Sequence, residues 1–97
     1  MTYELNENCK QQAIDKMVEN LPVLRQMLHL TQAQLAALLG LNRQTYVCIE
    51  KKKRKMTWAT FLSLMFVFSQ NKETNKLLEF FNIYTEEMKK IYSDINT

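Results

Sequence analysis

Apolar residues recur every three or four positions along most of the 97-residue chain, which is the spacing of amphipathic α-helices. The chain has only one glycine and one proline, so it lacks the turn residues that an all-β fold requires. We therefore predict an all-α fold of five or six helices in a single domain, residues 1–97. Its predicted parts are an N-terminal helix over 8–20, a central core over 21–70 and a C-terminal helix over 74–96.

The only proline, Pro22, interrupts the first helical pattern. Proline is tolerated in the first turn of a helix, because its missing N–H would have no partner there. Asn20, which precedes it, is a residue type that caps helix N-termini. The pattern therefore predicts either a second helix that begins near Pro22 or one longer helix that is kinked there.

The only glycine, Gly40, separates two short predicted helices. Thr31 and Gln34 have the spacing of a capping box at the start of the first one. Gly40 ends that helix, because a helix C-terminus often needs a positive φ, which glycine adopts without steric strain. Asn42 follows as the cap of the next helix, which we predict over 42–51, so the turn between the two is very short.

The C-terminal segment has the apolar pattern of a heptad seam, with alternating spacings of four and three residues. The residues of this seam are Leu77, Phe81, Tyr84, Met88, Ile91 and Ile95. The seam predicts a homodimer that forms through the C-terminal helix. The alternatives are a protein partner on the same face, or a helix that folds back on its own domain, with Thr85 starting a separate final helix.

Positive charge is concentrated in one segment of the chain. The formal net charge is +3, but residues 43–55 carry six cations and one acid, Glu50, which is a local balance of +5. The rest of the chain has seven cations and nine acids, a balance of −2. Such a focused patch is typical of a surface that binds a polyanion, and a merely solvated run of cations is the alternative.

The run LRQMLHLTQAQLAALLGLNRQTYVCIE resembles the helix-turn-helix of the Cro/phage-repressor (XRE-like) family, whose fixed positions it matches almost throughout. The resemblance covers residues 25–69. It implies a lambda-repressor-like helix-turn-helix domain, to which this chain adds the N-terminal and C-terminal helices. It also implies a sequence-specific transcriptional regulator, in the simplest case a repressor, that binds double-stranded DNA through the major groove.

The resemblance also implies roles for individual residues. Gln32 matches a glutamine that lies against the DNA backbone near the base pairs, and Arg25 and Glu50 match a pair that joins the first helix to the end of the recognition helix. Arg43 and Gln44 are expected to read bases, since Arg donates to guanine O6 and N7 and Gln brackets adenine N6 and N7. The exposed recognition face comprises Asn42, Arg43, Gln44, Thr45, Val47 and Cys48. The phosphate contacts expected from the basic run are Lys51, Lys52, Lys53, Arg54 and Lys55.

Two positions depart from the family pattern. Lys52 stands where the family usually has glycine, and Met56 stands where it often has proline. We therefore expect either a longer third helix or an exit from that helix with a lysine at positive φ.

Other kinds of chemistry find little support in the sequence. No Ser/His/Asp or Cys/His arrangement and no glycine-rich phosphate loop is present, so we expect neither an enzyme nor a cofactor. The single histidine, His29, and the isolated Cys9 and Cys48 lack the spacing of a metal site. No apolar run approaches the ~20 residues that cross a bilayer, and no secretory signal is recognisable, so we expect a cytoplasmic protein.

Two alternative functions fit the same helix-turn-helix. An antitoxin-type protein would bind an operator and hold a toxin with its terminal helices. A protein-interaction module would keep the fold without binding DNA, although the basic segment argues against this reading.

Overall fold

The computed structural model describes residues 3–95, and within them it contains six α-helices and no β-strand. The helices are α1 (Glu7–Met27), α2 (Gln32–Leu39), α3 (Arg43–Glu50), α4 (Trp58–Ser69), α5 (Lys72–Phe80) and α6 (Glu86–Ile95). The predicted all-α class is confirmed. No helix in this part of the chain combines the length and the apolar character needed to traverse a membrane.

The N-terminal helix is one element, so the predicted end of a first helix at residue 20 is wrong and the single longer helix is correct. α1 continues through Pro22 because one apolar face runs along its whole length. Met17, Leu21 and Leu24 on that face are all 0% exposed. Burial of side chains on both sides of the proline offsets the loss of one backbone hydrogen bond.

The predicted cap Asn20 does not cap a helix. Its side-chain nitrogen donates a hydrogen bond to the carbonyl oxygen of Lys16 at 2.8 Å, within the same helix. The N-cap of α1 is Asn6, whose side-chain oxygen accepts from the amide of Cys9 at 2.8 Å. Asn6 satisfies an amide that has no partner inside the helix, which is the task of an N-cap.

The core lies where α1 packs on α3, α4 and α5, while α2 packs on α3 and α4. Each of these elements contributes fully buried side chains to one cluster. Examples are Leu24, Leu35, Tyr46, Phe61 and Leu78. Because α3 packs on α1 and α2 at once, its orientation is fixed by two neighbours.

The turn between α2 and α3 has the predicted construction. Thr31 and Gln34 form both hydrogen bonds of a capping box at the start of α2. Gly40 has φ +73° at the end of α2, in the left-handed region that glycine adopts without strain. The side chain of Asn42 accepts from the amide of Thr45 at 2.8 Å and so caps α3. α2 and α3 therefore form a helix-turn-helix.

The exit from α3 has the predicted lysine at positive φ. α3 ends at Glu50, and Lys52 has φ +63°. The amides of Lys53 and Arg54 then donate to the carbonyl oxygen of Cys48, at 2.8 and 3.2 Å. This turn keeps the basic run compact, directly beside the end of α3.

The single C-terminal helix predicted over 74–96 is wrong; the chain turns between α5 and α6. Asn82 adopts φ +59°, and the amides of Ile83 and Tyr84 both donate to the carbonyl oxygen of Leu78. The physical reason is burial, since Ile83 is 0% exposed and a continuous helix would carry it away from the core. The alternative in which Thr85 starts a separate final helix is correct, because its hydroxyl accepts from the amide of Met88.

This break divides the predicted heptad seam between two helices and the turn that joins them. Met88 is buried in the core, whereas Ile95 is 54% exposed. The other four seam residues are half-buried: Leu77, Phe81, Tyr84 and Ile91. A coiled-coil seam along one helix is therefore wrong, and the homodimer itself stays a prediction. Residue 96, the last of the predicted helix, lies outside the described residues.

Candidate nucleic-acid interface

α3 buries one side and exposes the other. Tyr46 and Ile49 are 0% and 3% exposed and face the core. Arg43 and Gln44, in the first turn, are exposed. Tyr46 and Ile49 share a face because they are three positions apart, whereas Gln44, two positions before Tyr46, lies about 200° around the helix from it. The predicted base-reading side chains are therefore available to a ligand at the surface.

Six of the predicted contact residues line one groove on the outer side of α2 and α3, which we call the α3 groove. These residues are Gln32, Arg43, Gln44, Val47, Cys48 and Lys51. Gln32 belongs to the first turn of α2, whereas the others belong to α3 and its end. The helix-turn-helix is what brings these two segments to one groove.

Four of the other six predicted contact residues lie around the α3 groove. A neighbouring depression, which shares Gln44 and Cys48 with it, adds Asn42, Thr45, Lys53 and Arg54. Lys52 and Lys55 lie on a different side, in a depression that they share with Asp15 and Glu19 of α1. The basic run thus begins in the α3 groove at Lys51, and residues 52–55 line the depression beside α1, of which Lys53 and Arg54 also line the depression next to the α3 groove.

The cations of this region have no acidic partner among residues 3–95. Arg43 and residues 51–55 are all exposed, and none of their side chains forms a salt bridge within residues 3–95. Lys89 of α6 differs, because its Nζ lies 3.2 Å from Glu79 Oε2 and 3.5 Å from Glu86 Oε1. We name the exposed side chains of residues 43–55 the basic surface; its positive charge is not neutralised by the described part of the fold.

The predicted pair of Arg25 and Glu50 is present, and it lies next to residues that line the α3 groove. Arg25 Nε donates to Glu50 Oε2 at 3.0 Å and Arg25 Nη2 donates to Glu50 Oε1 at 3.1 Å. Arg25 Nη1 also donates to the carbonyl oxygen of Leu30 at 3.0 Å. The two side chains are only 13% and 7% exposed. This two-pronged contact fixes the end of α3 to α1 and to the loop before α2.

Two further donors to Glu50 were not predicted from the sequence. The Tyr46 hydroxyl donates to Glu50 Oε2, and Gln32 Nε2 donates to Glu50 Oε1 at 3.2 Å. The four-residue spacing of Tyr46 and Glu50 is a signal that could have indicated the first contact. Gln32 is 18 positions away, so only the folded arrangement reveals the second.

The hydrogen bonds at Glu50 determine its protonation state. Burial alone would raise the pKa of Glu50, but donors led by Arg25 outweigh burial and hold this pKa below its ordinary value. The contact with Glu50 raises the pKa of Arg25 in turn. Burial, followed by the bond to Glu50, raises the pKa of the Tyr46 hydroxyl. Glu50 is therefore a carboxylate, and Arg25 and Tyr46 keep their protons.

The histidine and the two cysteines lie on separate elements. Cys48 lines the α3 groove, Cys9 lies in the first turn of α1, and both are free thiols. His29 is exposed just past the end of α1, with φ +58°. Within residues 3–95, no three His, Cys, Asp or Glu side chains are grouped so that they could hold a metal ion.

Comparisons with protein-family models, with curated proteins and with solved structures found no match to this chain. The resemblance to the Cro/phage-repressor family therefore stays a prediction.

Proposed function

We propose that this chain is a sequence-specific transcriptional regulator, in the simplest case a repressor, that binds double-stranded DNA. It acts in the cytoplasm by binding, without catalysis or a cofactor. The observation that carries the proposal is the α3 groove, in which exposed Arg43 and Gln44 lie beside cations that form no salt bridge in the described part of the chain.

The dimensions of α3 suit the major groove. An α-helix with its side chains is about 10–12 Å in diameter, which fits the roughly 12 Å width of the major groove of B-DNA. Arg43 and Gln44 occupy the first turn of α3, which is the part of a recognition helix that contacts base edges. Arg43 donates to guanine O6 and N7, and Gln44 brackets adenine N6 and N7.

The basic run supplies affinity that does not depend on sequence. Lys51 continues from the end of α3, and the left-handed Lys52 turns the following cations back toward Cys48. In this arrangement the lysines contact the DNA phosphates on either side of the major groove that α3 occupies. Such contacts fix the register of the protein and release counterions, so binding weakens as salt rises.

The homodimer forms through an uncharged surface on α4 and α6, in place of the seam predicted along one C-terminal helix. α4 contains no charged residue, and Leu62 and Phe66 on it are 39% and 67% exposed. The Phe66 ring borders a groove that Met65 and Tyr92 also line. We name Leu62, Phe66 and Tyr92 the apolar surface.

A second copy of the chain fits the apolar surface for two reasons. A projecting ring beside a groove is self-complementary about a two-fold axis, since each copy offers both parts. An uncharged helix also meets its own copy without repulsion between like charges. Such a dimer presents two copies of α3 to half-sites about 34 Å apart.

Sedimentation of the full chain tests the dimer. The wild type should sediment as a dimer, and Phe66→Glu as a monomer. Phe80→Glu is the matched control, because Phe80 is 76% exposed on α5 and lies outside the α4–α6 groove. A wild-type monomer, or a Phe66→Glu variant that stays dimeric, would contradict this dimer.

A randomised-duplex selection at moderate salt tests DNA recognition by the full chain. The wild type should enrich one motif with two-fold symmetry. Arg43→Ala should lose the preference for guanine at one position of each half-site. Lys90→Ala removes an exposed cation on α6 and should leave the motif unchanged. Enrichment of no motif by the wild type would contradict sequence-specific regulation.

A further inference from the structure

The contact between Gln32 and Glu50 fixes the orientation of an amide. An ionised carboxylate only accepts hydrogen bonds, whereas a glutamine side chain has a donor end and an acceptor end. Glu50 Oε1 therefore binds Gln32 Nε2, at 3.2 Å, and would repel Gln32 Oε1. The carbonyl oxygen of Gln32 is thus turned away from Glu50.

Glu50 is itself held in place, so it is a fixed anchor. Both of its oxygens are bound by Arg25, and Oε2 also accepts from Tyr46. Arg25 is fixed in turn by the carbonyl oxygen of Leu30. Rotation of the Gln32 amide would therefore break its bond to a carboxylate that cannot follow it.

Gln32 is also one of the residues that line the α3 groove. Arg43 and Lys51, on the same groove, carry only donors. Gln32 adds an acceptor, Oε1, whose direction is set by Glu50, and Nε2 keeps a second N–H. An acceptor with an adjacent donor is the arrangement that brackets N6 and N7 of adenine.

We infer, on the premise of the proposed function, that Gln32 is a specificity-determining residue that reads adenine, with Glu50 as its positioning residue. The phosphate contact expected from the resemblance suits this amide less well. Phosphate oxygens only accept hydrogen bonds, so an outward carbonyl oxygen finds no donor there. The amino group of adenine supplies that donor.

The test uses Gln32→Met, which keeps the length of the side chain and removes both polar ends. Gln12→Met is the matched control, because it makes the same change at an exposed glutamine of α1 that lies outside the α3 groove. Base preferences of the full-length variants are measured by randomised-duplex selection. They are then measured by competition between duplexes that differ at one base pair, with thermal unfolding as a check of folding.

Besides the adenine that Gln44 reads, the wild type should prefer adenine at a second position of each half-site by roughly ten-fold, the range of a good bidentate contact. Gln32→Met should lose this preference and keep the others, and Gln12→Met should keep them all. An unchanged base profile for Gln32→Met, or a uniform loss of affinity across sequences, would overturn the inference. A wild type that enriches no motif would overturn the reading of adenine together with the proposed function.

A measurement without DNA tests the contact between Gln32 and Glu50 independently of the proposed DNA recognition. In the NMR spectrum of the free full chain, one Gln32 side-chain amide proton should resonate downfield, because it is bound to a carboxylate. Gln26, which is exposed, gives the reference position. Equal shifts for the two glutamines would overturn the anchoring by Glu50 even for a chain that binds DNA. A downfield Gln32 resonance without motif enrichment would support the hydrogen bond to Glu50. It would refute the proposed DNA recognition and, with it, the reading of adenine.

Discussion

The basic surface and the apolar surface are both exposed, but they differ in the kind of ligand that each can hold. The basic surface carries six cations, and none of them has an acidic partner within residues 3–95. α4, which carries most of the apolar surface, has no charged residue among its twelve. The first surface suits a polyanion in a salt-dependent contact, and the second suits an apolar partner.

The two surfaces also differ in how the fold supports them. Behind the basic surface lies a polar network centred on Glu50. Beneath the apolar surface lie Phe61, Leu64 and Phe68 of α4, which are all 0% exposed. A polar network loses its function when one partner is removed, whereas an apolar helix tolerates changes on its outer side. We therefore expect substitutions and changes of pH to weaken the basic surface and its binding more than the apolar surface.

The largest effect is expected from neutralising the basic run. For each half-site, a variant with Gln at all five positions 51–55 should lose up to about 4.5 of the slope of log affinity against log salt, which is about 500-fold over a four-fold change in salt. The measurement is duplex binding across a salt series. A control variant with Gln at Lys72, Lys76 and Lys90, which lie outside the basic surface, should keep the wild-type slope. An unchanged slope in the five-fold variant would show that these cations do not meet phosphates.

The next largest effect is expected from Glu50→Ala. The substitution leaves Arg25 buried without its carboxylate, and removal of one partner of a buried pair costs about 3 kcal/mol. The free energy of unfolding from urea titration measures this loss. Glu19→Ala, at an exposed carboxylate of α1 that pairs with Lys16, should change it by less than about 0.5 kcal/mol. Equal losses for the two variants would contradict the conclusion that the network at Glu50 stabilises the fold more than an exposed ion pair does.

A smaller effect is expected from Gly40→Ala. A Cβ at this position would meet no atom within 4 Å, so the cost comes from the backbone at φ +73° alone. We expect a loss of about 1–2 kcal/mol in the free energy of unfolding. Gly40→Asn should lose less, since asparagine adopts this conformation more readily than alanine. No loss for Gly40→Ala would mean that the turn before α3 does not need the left-handed residue.

Acid should weaken the fold through Glu50 by a smaller and graded amount. Its pKa is lower in the folded chain, so its contribution is complete above the ordinary carboxyl pKa of about 4.3. That contribution is lost as the pH falls through the lowered folded value. The urea midpoint of the wild type should therefore fall in this range more steeply than that of Glu50→Gln, which has no proton to gain. Parallel curves would rule out Glu50 as the group responsible.

The helix-turn-helix could be predicted from the sequence because local interactions define it. The capping box at Thr31 and Gln34, the left-handed Gly40 and the cap Asn42 each act within a few residues. Short-range chemistry of this kind can be read from residue types and spacing. The exposure of Gln44 then follows from the helical period once Tyr46 is buried, because the two residues lie about 200° apart around the helix.

The remaining features depend on contacts between distant segments, which spacing alone cannot reveal. The apolar spacing of the C-terminal segment is compatible with one long helix, but burial of Ile83 against the core ends α5 early. Pro22 likewise indicated a boundary that core packing along α1 overrides. The bond from Gln32 to Glu50 joins residues 18 positions apart. In all three cases tertiary contacts outweigh the local pattern.

The central claim is that the chain binds duplex DNA through α3 and the basic run. Its most direct test is an NMR titration of the full chain with the duplex that the selection enriches, at a concentration where the oligomeric state is constant. The backbone amides of residues 42–55 and the side-chain amide of Gln32 should shift, while those of residues 62–66 in α4 keep their positions. Shifts centred on α4 and Tyr92, or none along α3, would contradict the account.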